Sequence, residues 1–117
     1  MLEVQISITA FIDEYQPGIV ECRLVDAHGK TWIFHEKIPV VTTQDLWTDS
    51  QYPQPGLVAC TVLERKSDSS GRRIVKIDTS RPWGIESTDG VSVFEVFAEQ
   101  LEGHYGETDL RPLTPDP

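Results

Sequence analysis

Residues 18–41 read GIVECRLVDAHGKTWIFHEKIPVV, and their pattern decides the fold. Val20, Cys22 and Leu24 alternate with Glu21, Arg23 and Val25. A period of two sends the first set to one face of a strand and the second set to the other. Residues 26–30, DAHGK, interrupt with turn chemistry. Gly29 tolerates the positive φ of a tight turn, and the Asp26 side chain can bond forward to the backbone. Residues 31–35, TWIFH, resume with β-branched and aromatic side chains. Trp32 and Phe34 share one face; Ile33 and His35 share the other. The stretch predicts a hairpin that sets Trp32 or Ile33 against Leu24 or Val25. Such aromatic–aliphatic pairs contribute roughly 0.2–1 kcal/mol each over alanine pairs. A lone hairpin is marginal in water, so a partner sheet is required.

The flanks read the same way. Over residues 3–12, Val4, Ile6, Ile8, Ala10 and Ile12 alternate with a mostly polar set, as in a sheet packed on one side. Residues 13–18, DEYQPG, are a connection closed by Pro-Gly. Pro39 ends or kinks the second hairpin strand, because proline cannot donate to the ladder. Residues 57–66 carry apolar side chains on both faces and predict a central strand. Residues 67–72, SDSSGR, are a hairpin loop, and residues 73–79 are its return strand. Residues 91–101 fit either period. Their β-branched and aromatic content, after an Asp89-Gly90 turn, favours a strand to at least Phe97.

These segments predict one all-β domain over residues 1–101, of about six short strands. A small antiparallel β-barrel is expected, because closure removes exposed edges; a two-sheet β-sandwich is the alternative. From Glu102 the composition changes. Residues 102–117 hold three prolines and two glycines and predict a flexible acidic tail.

A chain of 117 residues suits one domain with a modest core. Nineteen acidic against ten basic residues give a net charge of −9. That disfavours nucleic acid and anionic membrane surfaces, both of which attract positive charge. It suits a soluble cytoplasmic protein, or one that meets a basic partner. Residues 1–11, MLEVQISITAF, show neither the basic region nor the apolar block of a signal peptide. No run approaches the roughly eighteen apolar residues of a membrane span. Cys22 and Cys60 both sit in apolar strand patterns and read as buried thiols of a reducing compartment. They could pair only if their strands were neighbours with suitable geometry. The chain has no asparagine, hence no N-glycosylation acceptor.

No Gly-rich phosphate loop, GxSxG, HExxH or CxxC is present, so no catalytic residue, cofactor or metal is assigned. His35 and Glu36 are adjacent, but strand neighbours point to opposite faces, so Glu36 cannot orient His35 as a base. His28, on the hairpin turn, has no obvious partner in the sequence. Asp13, Glu14, Asp45 and Asp49 could meet at one end of a barrel, though without calcium-loop spacing.

Two loops carry the binding candidates. Residues 42–56 contain Trp47 and Tyr52, and Thr43 could cap one helical turn through Leu46 and Trp47. A long loop with aromatics suits a lid or a binding loop. The plainer reading, which the residues favour, has Leu46 and Trp47 plugging one end of the domain. Residues 81–90, RPWGIESTDG, place Arg81 and Glu86 around Trp83. Trp83 would anchor a partner and Arg81 would clamp a carboxylate. The plainer reading again has Trp83 folded over the core and Arg81 paired with a nearby acid. The hairpin together with residues 81–88, RPWGIEST, resembles small bacterial proteins with no assigned function, over most of residues 18–101. The resemblance implies a bacterial, soluble origin and brings no chemistry.

The expected function is a non-enzymatic protein-binding module, immunity- or inhibitor-like towards a basic partner, using Trp47, Tyr52, Arg81, Trp83 and Glu86. One alternative is a small-molecule-binding or hydrolytic barrel with its site at the mouth. Another is a structural domain that assembles a homodimer through unpaired edges.

Overall fold

The computed structural model describes residues 1–14 and 17–103. Its strands are β1 (Leu2–Asp13), β2 (Ile19–Val25), β3 (Thr31–Lys37), β4 (Gln54–Ala59), β5 (Thr61–Ser67), β6 (Arg73–Asp78), β7 (Val93–Phe97) and β8 (Leu101–Gly103). One helical turn, α1 (Ile38–Val41), follows β3, and a 3-10 turn, Ala98–Gln100, precedes β8.

The strands form two antiparallel sheets. The first runs β3-β2-β1-β4, with β8 also on β1; the second runs β5-β6-β7. Neither sheet closes on itself, so the expected barrel is not what the pairings make, and the sandwich alternative fits. Eight strands replace the expected six for two reasons. Residues 57–66, read as one strand, break at Cys60, whose N–H donates to the Leu2 carbonyl at 3.0 Å. There the chain leaves the first sheet for the second. The additional strand is β8, whose Leu101 pairs with Val4. Glu102 and Gly103 complete it, and the rest of the expected tail, residues 104–117, lies outside the described residues.

The central hairpin folds as its alternation dictates. Val20, Cys22 and Leu24 are buried, and Leu24 stands opposite Trp32. Asp26 locks the turn. Its Oδ1 accepts the His28 and Lys30 N–H groups and its Oδ2 accepts the Trp32 indole N–H, all at 2.9 Å. One core joins the sheets. Val4, Ile8, Phe34 and Val58 come from the first, and Val75, Ile77, Phe94 and Val96 from the second. Phe94 meets Trp32 edge-on, with ring centroids 5.2 Å apart, and Phe34 at 5.6 Å. Edge-to-face pairing is the favoured aromatic geometry. Backbone bonds also tie the sheets, Ala27 N–H to the Glu95 carbonyl at 2.8 Å and Thr88 N–H to the Ile33 carbonyl at 2.7 Å. Cys22 and Cys60 are both buried free thiols.

Pro39 ends β3 as expected, but the helical turn falls at Ile38–Val41, not at the expected Thr43–Trp47. Proline suits a first helical turn, where its missing N–H is not needed. α1 packs on both β3 and β4, the two outer strands of the first sheet. Two glycines permit this. Gly18 has φ +97°, accepts the Ile38 N–H at 3.0 Å, and a Cβ there would lie 2.9 Å from Ile38 Cδ1. A Cβ on Gly56 would lie 2.9 Å from Ile8 Cδ1 and 3.0 Å from the Val41 carbonyl oxygen. No helix among the described residues is long and apolar enough to cross a membrane.

Candidate functional site

α1 and the residues after it divide two surface grooves. The first, about 560 Å³, is lined by Phe11, Ile38, Leu46 and Trp47, with Glu14 and Asp45 on its rim. The second, about 710 Å³, is lined by Val40, Leu57, Pro55 and Trp83, with Glu3 and Glu102. Pro39, Thr42 and Thr43 belong to both linings and form the wall between them. Each groove thus holds one tryptophan and two carboxylates, and neither lining includes a lysine or arginine.

Both tryptophans face solvent, Trp47 at 63% and Trp83 at 53% exposure. The reading in which they plug or cover the core is therefore corrected for both. Leu46 alone fills the core at that point. Adjacent residues of one loop can point in opposite directions, and Leu46 takes the inward one.

The backbone beneath each tryptophan is held. Trp47 N–H donates to Ser50 Oγ at 2.8 Å, and its carbonyl accepts the Tyr52 hydroxyl at 2.6 Å and the Ser50 N–H at 3.2 Å. Trp83 rides on a loop pinned at Thr79, whose hydroxyl donates to the Ile85 carbonyl at 2.7 Å and whose N–H donates to the Ser92 carbonyl at 2.8 Å. Gly84 N–H donates to the Ser80 carbonyl at 2.7 Å, and Ile85 anchors the loop in the core. The Ser80 hydroxyl and N–H both donate to Asp78 Oδ1, and they hold that carboxyl below its usual range. A ring displayed on a fixed backbone loses little freedom on contact, which favours its use as an anchor.

The structure sorts the five candidates. Trp47 and Trp83 lie in neighbouring grooves. Tyr52 stands behind Trp47 as a support. Arg81 and Glu86 line neither groove, and Arg81 Nε lies 3.6 Å from Asp78 Oδ2. Sequence reasoning missed Glu3 and Glu102, which stand directly opposite each other on β1 and β8. It also missed the apolar floor of Val40 and Leu57. Glu14 and Asp45 do come to one groove, while Asp13 and Asp49 are not in its lining.

Other titratable groups are paired or buried within the scaffold. His28 Nε2 meets Glu95 Oε1 at 2.8 Å, the partner the sequence did not suggest. Lys66 Nζ meets Glu95 Oε2 at 2.6 Å, and Lys66, then His28, keep the Glu95 carboxyl low. His35 stands opposite Glu21 across the ladder. The Thr9 hydroxyl donates to Glu21 Oε2 at 2.8 Å and, with Arg23, holds that carboxyl low. Burial pushes the thiols of Cys22 and Cys60 up to about 12. Among the described residues no group of three or more His, Cys, Asp or Glu could hold a metal ion. Compared with protein families, curated proteins and solved structures, the chain finds no match.

Proposed function

We propose that this chain is a non-enzymatic protein-binding module that docks a basic partner on the face divided by α1. One observation carries the reading. Two exposed tryptophans on pinned loops lie in adjacent apolar grooves that are rimmed by four carboxylates and lined by no basic side chain. Tryptophan is the residue type most enriched among interface anchors, and charged rims set partner choice and encounter rate. The net charge of −9 steers in the same sense. Two buried free thiols suit work in a reducing compartment such as the cytoplasm. The role is immunity- or inhibitor-like, covering the working surface of a basic protein.

The test is capture of partners from native-host lysate by the intact chain and by Trp47→Ala and Trp83→Ala. A basic protein held by the native chain and lost with both variants supports the reading. Capture unchanged by either variant overturns it. Circular dichroism of the variants separates lost docking from lost fold.

A further inference from the structure

Resting on that docking reading, we infer that the two grooves are one bipartite site for a single extended segment of the partner, carrying two cationic side chains about four residues apart. The two halves match in kind. Each offers an exposed indole, a pair of carboxylates and an apolar floor, and they share the wall of Pro39, Thr42 and Thr43. A lysine or arginine stem packs on apolar surface while its head stays with the carboxylates. An indole face adds attraction for the same cation.

A second observation points to a cation in the groove of Trp83. Glu3 and Glu102 stand directly opposite across the β1–β8 ladder. Like charges in that position repel. Gln5 Nε2 donates to Glu102 Oε2 at 2.7 Å, and among the described residues no lysine or arginine is ion-paired with either carboxylate. A partner's cation placed between them would offset that repulsion.

The wall sets the spacing and the backbone form. A helical turn with side chains is about 10 Å across. An extended chain advances about 3.3 Å per residue, so side chains three or four positions apart reach both grooves. A helix advances only about 1.5 Å per residue and would need roughly seven.

The probe is a synthetic peptide with two arginines separated by three glycine or serine residues. A one-arginine peptide and a two-glutamate peptide are its controls. Trp47→Phe and Trp83→Phe each leave one groove with its own fluorescent reporter, over a constant background from Trp32. The two-arginine peptide is expected to shift both reporters at one midpoint and to bind at least about tenfold tighter than the one-arginine peptide, the gain of linked sites. Glu14→Gln and Glu102→Gln should each return it towards the one-arginine affinity. Saturable binding at one reporter only, or no gain from the second arginine, overturns the bipartite site and leaves the docking reading standing. No response of either reporter to any peptide overturns both.

Discussion

Glu3 and Glu102 stand directly opposite each other across the β1–β8 ladder. Glu102→Lys puts opposite charges where two like charges stand in register. It should raise the thermal midpoint by about 1–4 °C at low salt, given the usual size of cross-strand charge pairs and of midpoint shifts in small domains. The gain should shrink in high salt, because the pair is near the surface. The same change should weaken capture of a basic partner. An unchanged midpoint at low salt would show that the carboxylates do not repel.

Glu36 stands opposite Val20 on β3 and is half-buried. Burial pushes its carboxyl up, and the charge of Lys37 only partly opposes this. The folded state therefore holds a proton on Glu36 to higher pH than the unfolded chain does. The cost of the charge is full above the folded-state pKa and vanishes below the unfolded one. Glu36→Gln should raise the midpoint at pH 7 by about 1–4 °C, and the gain should fade as pH falls through the carboxylate range. A gain independent of pH would assign the effect to packing. Glu21 and Glu95 act in the opposite sense. Their lowered carboxyls contribute above the unfolded value, and that contribution is lost as pH falls through the folded one.

Asp26 accepts two backbone N–H groups and the Trp32 indole N–H. Asp26→Ala leaves three donors without their acceptor, one of them on a side chain that packs against Phe94. Loss of about 1–3 kcal/mol is expected in denaturant unfolding, the usual cost of stranding buried polar groups. Near-ultraviolet dichroism of Trp32 should change with it. A variant of native stability would show that water replaces the carboxylate without loss.

Gly56 lets α1 approach β4. A methyl group there meets Ile8 Cδ1 at 2.9 Å and the Val41 carbonyl oxygen at 3.0 Å, and the backbone oxygen cannot easily give way. Gly56→Ala should destabilise by about 1–3 kcal/mol, as overpacked sites do. Because it displaces the wall between the grooves, it should weaken binding of the two-arginine peptide more than of the one-arginine peptide. Equal weakening of both would separate the wall from the binding.

Cys22 and Cys60 are buried, with thiols pushed up to about 12. The thiolate is the reactive form, so a thiol reagent at pH 8 should label neither in the folded chain and both in denaturant. Rapid labelling of one under native conditions would show local opening around it.

The hairpin was legible because a strict period of two, a Gly-bearing turn and an aromatic pair point to the same fold. Its register was not: the pattern allows Trp32 or Ile33 against Leu24 or Val25, and the structure sets Trp32 against Leu24. The strand ending at Phe97 was legible for a similar reason. The switch of sheets at Cys60 was not, since an unbroken apolar run looks the same whether or not it changes partner. α1 is too short for any helical period to register. Trp47 and Trp83 were visible as types, but their outward direction comes from Leu46 and Ile85, which occupy the core beside them. The carboxylate pair of the second groove was hidden for a different reason. Glu3 and Glu102 meet only through a strand pairing between distant parts of the chain.

That distance has a consequence for synthesis. The bond from Gln5 to Glu102 spans 97 positions. Chains emerge N-terminal end first, so Glu3 meets its counterpart only after Glu102 has been made. The acidic half-site at Trp83 therefore forms only once β8 has joined β1.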